Sequence, residues 1–264
     1  MSTSELADVS RMQRNADERL LEYRKYATQF DHQNKYNPAY HELQEILVDW
    51  LPKFGLGDHP DICDLGAGTG NFTLRMAEVV PNARYTHLDK DENMNALANE
   101  KYVQAGVKNI KIVDSFIQQA DFQPASFDLI VCINALNTAP PQEDVLKLMT
   151  SWLRPGGWVF VVDFGREQRV LDWALYCAYH AAKSDGVSSM LRYAAGCTEA
   201  FKQNYRARQD QNHGTMWLHE TEQFKNMFVD AGLEVVEYSK VYREYADLVI
   251  AQKDPLVVSE PVSN

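Results

Sequence analysis

Three glycines at alternate positions, in Asp64-Leu-Gly-Ala-Gly-Thr-Gly70, follow the short apolar run Asp61-Ile-Cys63. Such spacing lets the chain turn tightly where a parallel strand ends, and it presents bare backbone to a ligand. Asp89, nineteen positions after Gly70, closes the next apolar segment, Ala83 to Leu88, with a carboxylate able to accept from both hydroxyls of an adenosine ribose. Loop and acid together describe one ligand site assembled from consecutive strand ends.

The elements that must hold this site follow from periodicity. Met12, Ala16, Leu20 and Leu21 have helix spacing, prolonged by Tyr23, Tyr26 and Phe30 into a first helix able to cover a ligand. Tyr40, Leu43, Ile46, Leu47, Trp50 and Leu51 predict a stronger amphipathic helix that ends near Pro52. Past the glycine loop, Phe72, Met76, Val79 and Val80 give the next helix its inward face. Met94, Leu97, Ala98 and Tyr102 form another, with Gly106 near its end and Ile110 to Val113 as a short strand beyond. Phe127-Asp-Leu-Ile-Val-Cys-Ile133 reads as a central strand, because consecutive apolar residues face helices on both sides of a parallel sheet. A helix through Val145, Leu146, Met149 and Trp152 is then stopped by Pro155-Gly-Gly157 before the strand Trp158 to Val162.

The strand-helix alternation breaks after Asp163. Val170, Trp173, Ala174, Cys177 and Ala181 predict one helix, and Met190, Leu191, Ala194, Phe201 and Tyr205 a second with a break at Gly196. About 55 residues therefore form a helical insertion rather than a plain loop. Phe224, Met227, Phe228 and Ala231 restore the pattern, and Leu233 to Val241 with Asp247 to Gln252 make a terminal strand pair around Tyr242 to Tyr245. Seven strands result, in an α/β fold.

Composition removes several classes of function. Of 264 residues, 37 are acidic and 26 basic, a formal charge of -11 with no lysine or arginine block, which disfavours a nucleic-acid partner. Cys63, Cys132, Cys177 and Cys197 are widely separated and lack metal-ligand spacing, so no metal is expected and a reducing cytoplasm fits. No stretch reaches membrane-spanning length, and the first residues carry no leader pattern.

In their order, these motifs resemble the class I S-adenosylmethionine-dependent methyltransferases over about residues 40 to 253. The resemblance implies a three-layer Rossmann-like fold with a seven-stranded mixed sheet, its last strand antiparallel to its neighbours, and a helical lid insertion. It divides the chain into a lid helix (1–37), a cofactor-binding core (38–164), a substrate lid (165–220), the rest of the core (221–253) and a tail (254–264). Asp64, Gly66, Gly68 and Gly70 match the family's first motif, Asp89 its ribose-binding acid, and Asp114-Ser-Phe116 the region beside adenine. Ser115 and Phe116 would then supply polar and stacking contacts. Asn134, just beyond the fourth strand, matches a position used near the methionyl group or the substrate. Cys132-Ile-Asn-Ala-Leu-Asn137 lacks the Asn/Asp-Pro-Pro-aromatic arrangement of many nucleic-acid and protein amide methyltransferases, which weakens an exocyclic or amide nitrogen as target.

The cofactor expected on this resemblance is S-adenosylmethionine, and the partner a small-molecule nucleophile (O, N, S or activated C). His219, His213 and Tyr26 are the candidate bases, and His32, Asn137, Asp163 and Trp217 the candidate substrate contacts. Tyr193, Tyr205, Arg206 and Arg208 permit an aromatic or carboxylated acceptor. A nucleotide-cofactor oxidoreductase and an inactive cofactor-binding interaction module are the alternatives, and a homo-oligomer through the added helices is compatible with the pattern.

Overall fold

The computed structural model describes residues 27, 29–213 and 217–256. A first helix occupies residues 29–35 (α1), after which Asn37 caps the helix Pro38–Trp50 (α2), with proline at the position where a missing N–H costs nothing. The strands are Asp61–Leu65 (β1), Arg84–Asp89 (β2), Ile110–Asp114 (β3), Phe127–Ile133 (β4), Leu153–Phe164 (β5), Leu233–Val241 (β6) and Ala246–Lys253 (β7). Between them lie Asn71–Val79 (α3), Glu92–Ala105 (α4), Gln142–Trp152 (α5) and Thr221–Asp230 (α9). The insertion supplies Val170–Asp185 (α6), Val187–Gly196 (α7) and Thr198–Asn212 (α8).

One seven-stranded sheet runs β3-β2-β1-β4-β5-β7-β6. The first five strands are parallel, and β7 is antiparallel to both β5 and β6. The alternation within β4 explains why its sequence is apolar throughout. Leu129 and Val131 pack with Leu43, Leu47, Phe72 and Met76 on one face, whereas Ile130 and Cys132 pack with Val145, Met149, Phe224 and Phe228 on the other. Chain order reverses between β1 and β4, so the crevice at their carboxyl ends is where a doubly wound sheet places its ligand.

Three sequence expectations change. Pro155-Gly-Gly157 is not a turn ahead of a strand but lies within β5, which starts at Leu153 paired to Phe127 and shifts register before Trp158 meets Leu129. The extra residues on β5 are absorbed as a bulge. The insertion has three helices rather than two, because Gly196 ends α7. Val79, expected to face inward, is 41% exposed, and α3 packs through Phe72, Thr73 and Met76. Tyr26 and the earlier stripe from Met12 lie outside the described residues. No helix among the described residues is long and apolar enough to cross a membrane.

Candidate functional site

The loop after β1 contains Gly66, Gly68 and Gly70, all at positive φ (70°, 55° and 76°), a region in which a Cβ is strained. The three differ in what surrounds them. A Cβ on Gly66 would collide with the Ala135 side chain and one on Gly70 with the Tyr102 ring, whereas one on Gly68 would meet nothing within 4 Å. Gly66 and Gly70 therefore permit close packing of protein on protein, and Gly68 is the one that turns bare backbone toward open space.

Asp89 fixes this loop. Its Oδ2 accepts from the Gly68 N–H at 2.8 Å and its Oδ1 from the Asp91 N–H at 2.9 Å, leaving further lone pairs on both oxygens. Gly66 and Ala67 N–H groups donate to the Leu88 carbonyl at 2.7 and 3.0 Å, which ties the loop to β2.

Two cavities meet over these strand ends and share Gly66, Asp89, Lys90, Asn134 and Thr138. The smaller, about 150 Å³, is bounded by Ser115, Phe116, Ile117 and Gln118 beyond β3, with the Lys90 ammonium 5.2 Å from the Phe116 ring. The larger, about 350 Å³, extends from Gly68 and Asn134 to Phe30, Asn34 and Asn37, Tyr40, Phe164, Trp173 of α6, Asn204 and Ala207 of α8, and Tyr242. Its only charged lining residues among those described are Asp89, Lys90 and Asp91, all at the β2 end.

Sequence-predicted residues divide into two groups. Gly66, Gly68, Asp89, Ser115, Phe116, Asn134 and Asn137 line one or both cavities. Asn134 adopts φ 55° and donates its backbone N–H to Val162 at 2.8 Å, while Asn134 Oδ1 and Asn137 Oδ1 are buried with no hydrogen-bond partner among the described residues. Asp64, Gly70, Asp114 and Asp163 do not line either cavity; Asp64 and Asp163 are buried against internal partners, whereas Asp114 is exposed. Asp64 accepts from Thr73 Oγ1 at 2.7 Å, and burial pushes its carboxyl up to about 7. Asp114 accepts from Asn95 Nδ2. Asp163 accepts from the Asn137 and Phe164 N–H groups at 2.7 Å each, and burial raises it to about 7 against those bonds.

The structure brings neither His219 nor His213 to the cavities. His219 is buried beside β7, its Nε2 2.8 Å from Asp247 Oδ2 and its ring stacked 4.0 Å from that of Phe224. Burial opposes ionisation of Asp247, but hydrogen bonds from His219, Arg166 and Tyr238 pull its pKa down to about 2. Trp217 packs on His219 and Phe224, and His213 is exposed at the end of α8. His32 stacks on Tyr193, and a Cβ on Gly196 would strike its imidazole, so it joins α1 to the insertion. Arg208 is held by Glu167 at 2.7 Å, and neither Arg206 nor Arg208 lines a cavity.

Sequence reasoning missed the far wall. Tyr40 was legible only as an apolar position of α2, yet its hydroxyl accepts from Asn71 Nδ2 at 3.1 Å and burial pushes its pKa well above the phenol range. Asn37 caps α2 through Oδ1 and donates from Nδ2 to Tyr242 Oη at 2.8 Å. Asp31 of α1 accepts from Thr69 Oγ1, Asn71 Nδ2 and Lys101 Nζ at 2.7, 2.8 and 2.9 Å, latching the helix over the glycine loop. Tyr242, Arg243 and Glu244 run at φ 55°, 57° and 64°, three consecutive left-handed residues without a glycine. Arg243 holds that turn by its ion pair with Asp172 at 2.9 Å and by lying 4.9 Å from the Trp173 ring. The spacing Asn34-x-x-Asn37-Pro38 was the available signal, since asparagines at a helix junction cap and orient.

Comparison with known proteins places these residues in context. Residues 56–232 match a family model described as a methyltransferase domain. The chain is 25% identical over 182 residues to the ubiquinone/menaquinone biosynthesis C-methyltransferase of Shewanella sediminis, covering 68% of each chain. In fold it is similar to a SAM-dependent methyltransferase from Aquifex aeolicus (TM-score 0.53, 17% identity, 77% of this chain and 87% of that one). It is also similar to phosphoethanolamine N-methyltransferase 2 of Haemonchus contortus in complex with S-adenosyl-L-methionine (TM-score 0.56, 15% identity, 77% of this chain and 51% of that one).

Proposed function

Because the chain belongs to the class I S-adenosylmethionine-dependent methyltransferases, we propose that it methylates a small-molecule nucleophile held between the strand ends and helices α1, α6 and α8. S-adenosylmethionine is its cofactor. The residues present fit that molecule. The smaller cavity beside Phe116 suits adenine, Asp89 retains lone pairs for the ribose hydroxyls, and open space faces Gly68 where the amino-acid portion would pass. Asn134 Oδ1, buried without a partner, supplies an acceptor for a donor on the methionyl group.

When bound, the cofactor supplies a methyl group on a sulfonium, which passes to the acceptor's lone pair and leaves S-adenosylhomocysteine. The protein's contribution is alignment and exclusion of water. Phe30, Tyr40, Phe164, Trp173 and Tyr242 close the larger cavity with rings, and Asn137 offers a fixed amide beside Asn134. No histidine lines that cavity among the described residues, and Tyr40 keeps its proton across the neutral range. The lining carboxylates, Asp89 and Asp91, lie at the β2 end, so an acceptor that arrives with its own nucleophilic lone pair suits the distal end. Asp163 and His219 are buried and line neither cavity, so this reading assigns them no proton transfer.

The adjoining cavities at the switch point between β1 and β4 carry this reading, because one suits a nucleoside while the other leaves room for a second molecule. Family membership leaves the oxidoreductase alternative without support. An inactive binding module is separated by assay. Calorimetry with S-adenosylmethionine and with nicotinamide dinucleotides, followed by mass spectrometry over an acceptor panel, should give selective one-site binding and S-adenosylhomocysteine matched to a methylated acceptor. Folded protein that fails to bind S-adenosylmethionine would sink the proposal.

A further inference from the structure

We propose that the acceptor is an uncharged ring compound that presents a hydrogen-bond acceptor to Trp173 Nε1–H and a hydrogen-bond donor to the Asn137 amide oxygen. This rests on the methyl-transfer reading above and names the substrate class of the same site. Three observations carry it.

The distal walls are aromatic. Trp173 and Tyr242 lie 4.7 Å apart at an interplanar angle of 33°, and Phe164 is 5.9 Å from Tyr242. Rings packed on one another in this way make a rigid apolar wall, which favours an uncharged ring over a hydrated polar ligand.

Among the described residues, no charged side chain lines that end of the cavity. The cations nearby in the fold are already matched outside it, with Arg166 paired to both Asp247 oxygens, Arg208 to Glu167 and Arg243 to Asp172. An anionic acceptor would give up water for no counter-charge. A cationic one would have the rings as partners, but the Arg243 guanidinium already lies against Trp173 and Tyr176, at 4.9 and 4.2 Å. That guanidinium already occupies the indole as its cation partner, and among the described residues no carboxylate lines the distal end to pair with a second cation.

The unsatisfied polar atoms supply the pattern. Trp173 Nε1 and Asn137 Oδ1 belong to cavity-lining residues, are buried, and have no hydrogen-bond partner among the described residues. An indole N–H only donates and an amide oxygen only accepts, so the complementary ligand carries one acceptor and one donor. Both atoms come from elements fixed by other contacts. The Asn137 backbone N–H is bonded to Asp163, and Trp173 is clamped between Tyr242, Tyr245 and Arg243.

The test is calorimetric titration at pH 7.5 with 3-hydroxyacetophenone, 3-hydroxybenzoate and 3-hydroxybenzylamine, each with and without saturating S-adenosylhomocysteine. The neutral ketone should bind at least tenfold more tightly than the anion or the cation. Trp173→Phe keeps a ring and deletes the donor, so the preference for 3-hydroxyacetophenone over 3-ethylphenol should fall about five- to tenfold. Asn137→Leu should collapse by a similar factor the preference for 3-hydroxyacetophenone over acetophenone. These ratios are insensitive to a general loss of folded protein. Equal or tighter binding of either charged compound, unchanged ratios in the variants, or no binding of any ring compound to nucleoside-saturated protein would overturn the proposal. If S-adenosylhomocysteine itself fails to bind, the methyl-transfer reading falls, while the titrations without nucleoside still report on ring recognition.

Discussion

Replacing each loop glycine by alanine separates stability from cofactor binding. All three sit at positive φ, so each substitution costs about 1–2 kcal/mol of backbone strain. At Gly70 the new methyl also enters the ring of Tyr102, which is 1% exposed and bonded through its hydroxyl to His87 Nδ1 at 2.7 Å. Such overpacking adds roughly 1–3 kcal/mol. Gly66→Ala meets the Ala135 side chain, which has no rotamer to yield. At Gly68 nothing lies within 4 Å, so the strain is the whole structural cost. The methyl there projects into the space reserved for the cofactor, and the same overpacking against the ligand weakens binding by about five- to 150-fold. Urea unfolding of ligand-free protein, followed by tryptophan fluorescence, should therefore rank Gly68→Ala as the mildest of the three. Calorimetry with S-adenosylhomocysteine should show Gly68→Ala well folded and impaired in binding. Equal destabilisation by Gly68→Ala and Gly70→Ala, or native affinity in Gly68→Ala, would refute this account of the loop.

Other consequences are directly measurable. Asp247→Ala removes the acceptor shared by Arg166, His219 and Tyr238 and should lower unfolding free energy by about 2–4 kcal/mol, whereas His219→Ala should leave the pH profile of turnover per folded molecule unchanged; a lost acidic limb in that profile would restore His219 as a base. Asp64, raised by burial to about 7 from an ordinary 3.8, holds its proton more tightly folded than unfolded. Its contribution is full below about pH 4 and disappears as pH rises through 7, so Asp64→Asn should narrow the gap in urea midpoint between pH 5 and pH 8. Asp31→Ala removes the acceptor shared by Thr69, Asn71 and Lys101, and should weaken S-adenosylhomocysteine binding about tenfold in calorimetry, a charge-assisted cluster being lost.

What the sequence disclosed was whatever depends on local spacing. The glycine loop was readable because positive φ leaves few residue types, and β4 because a strand covered on both faces must be apolar at every position. Asp89 was readable because its distance from the loop equals one helix and one strand. The acceptor end was not, because it is assembled from α1, α6, α8 and the β6–β7 turn, whose proximity is tertiary. Trp173 read as packing and does pack, yet the same ring forms the cavity wall. His219 and Trp217 misled for a related reason. They fall at the end of the 165–220 insertion, but the chain there has already returned to the sheet, where Asp247 and Phe224 receive them. The Tyr242 to Glu244 turn has no glycine to announce its left-handed backbone, and tertiary contacts with Asn37, Asp172 and Trp173 among others hold it.

The acceptor wall draws on segments around residues 30–40, 164–207 and 242, while the nucleoside end rests on the loops that follow β1, β2, β3 and β4. Substitutions at Phe30, Asn34, Gln168 or Asn204 alter no strand pairing and no glycine contact. Descendants of one ancestral gene can thus diverge in what they methylate while inheriting the same methyl donor, and likeness across the glycine loop will overstate likeness of metabolic role. Kinship in acceptor is better sought in the few side chains of the far wall than in overall identity.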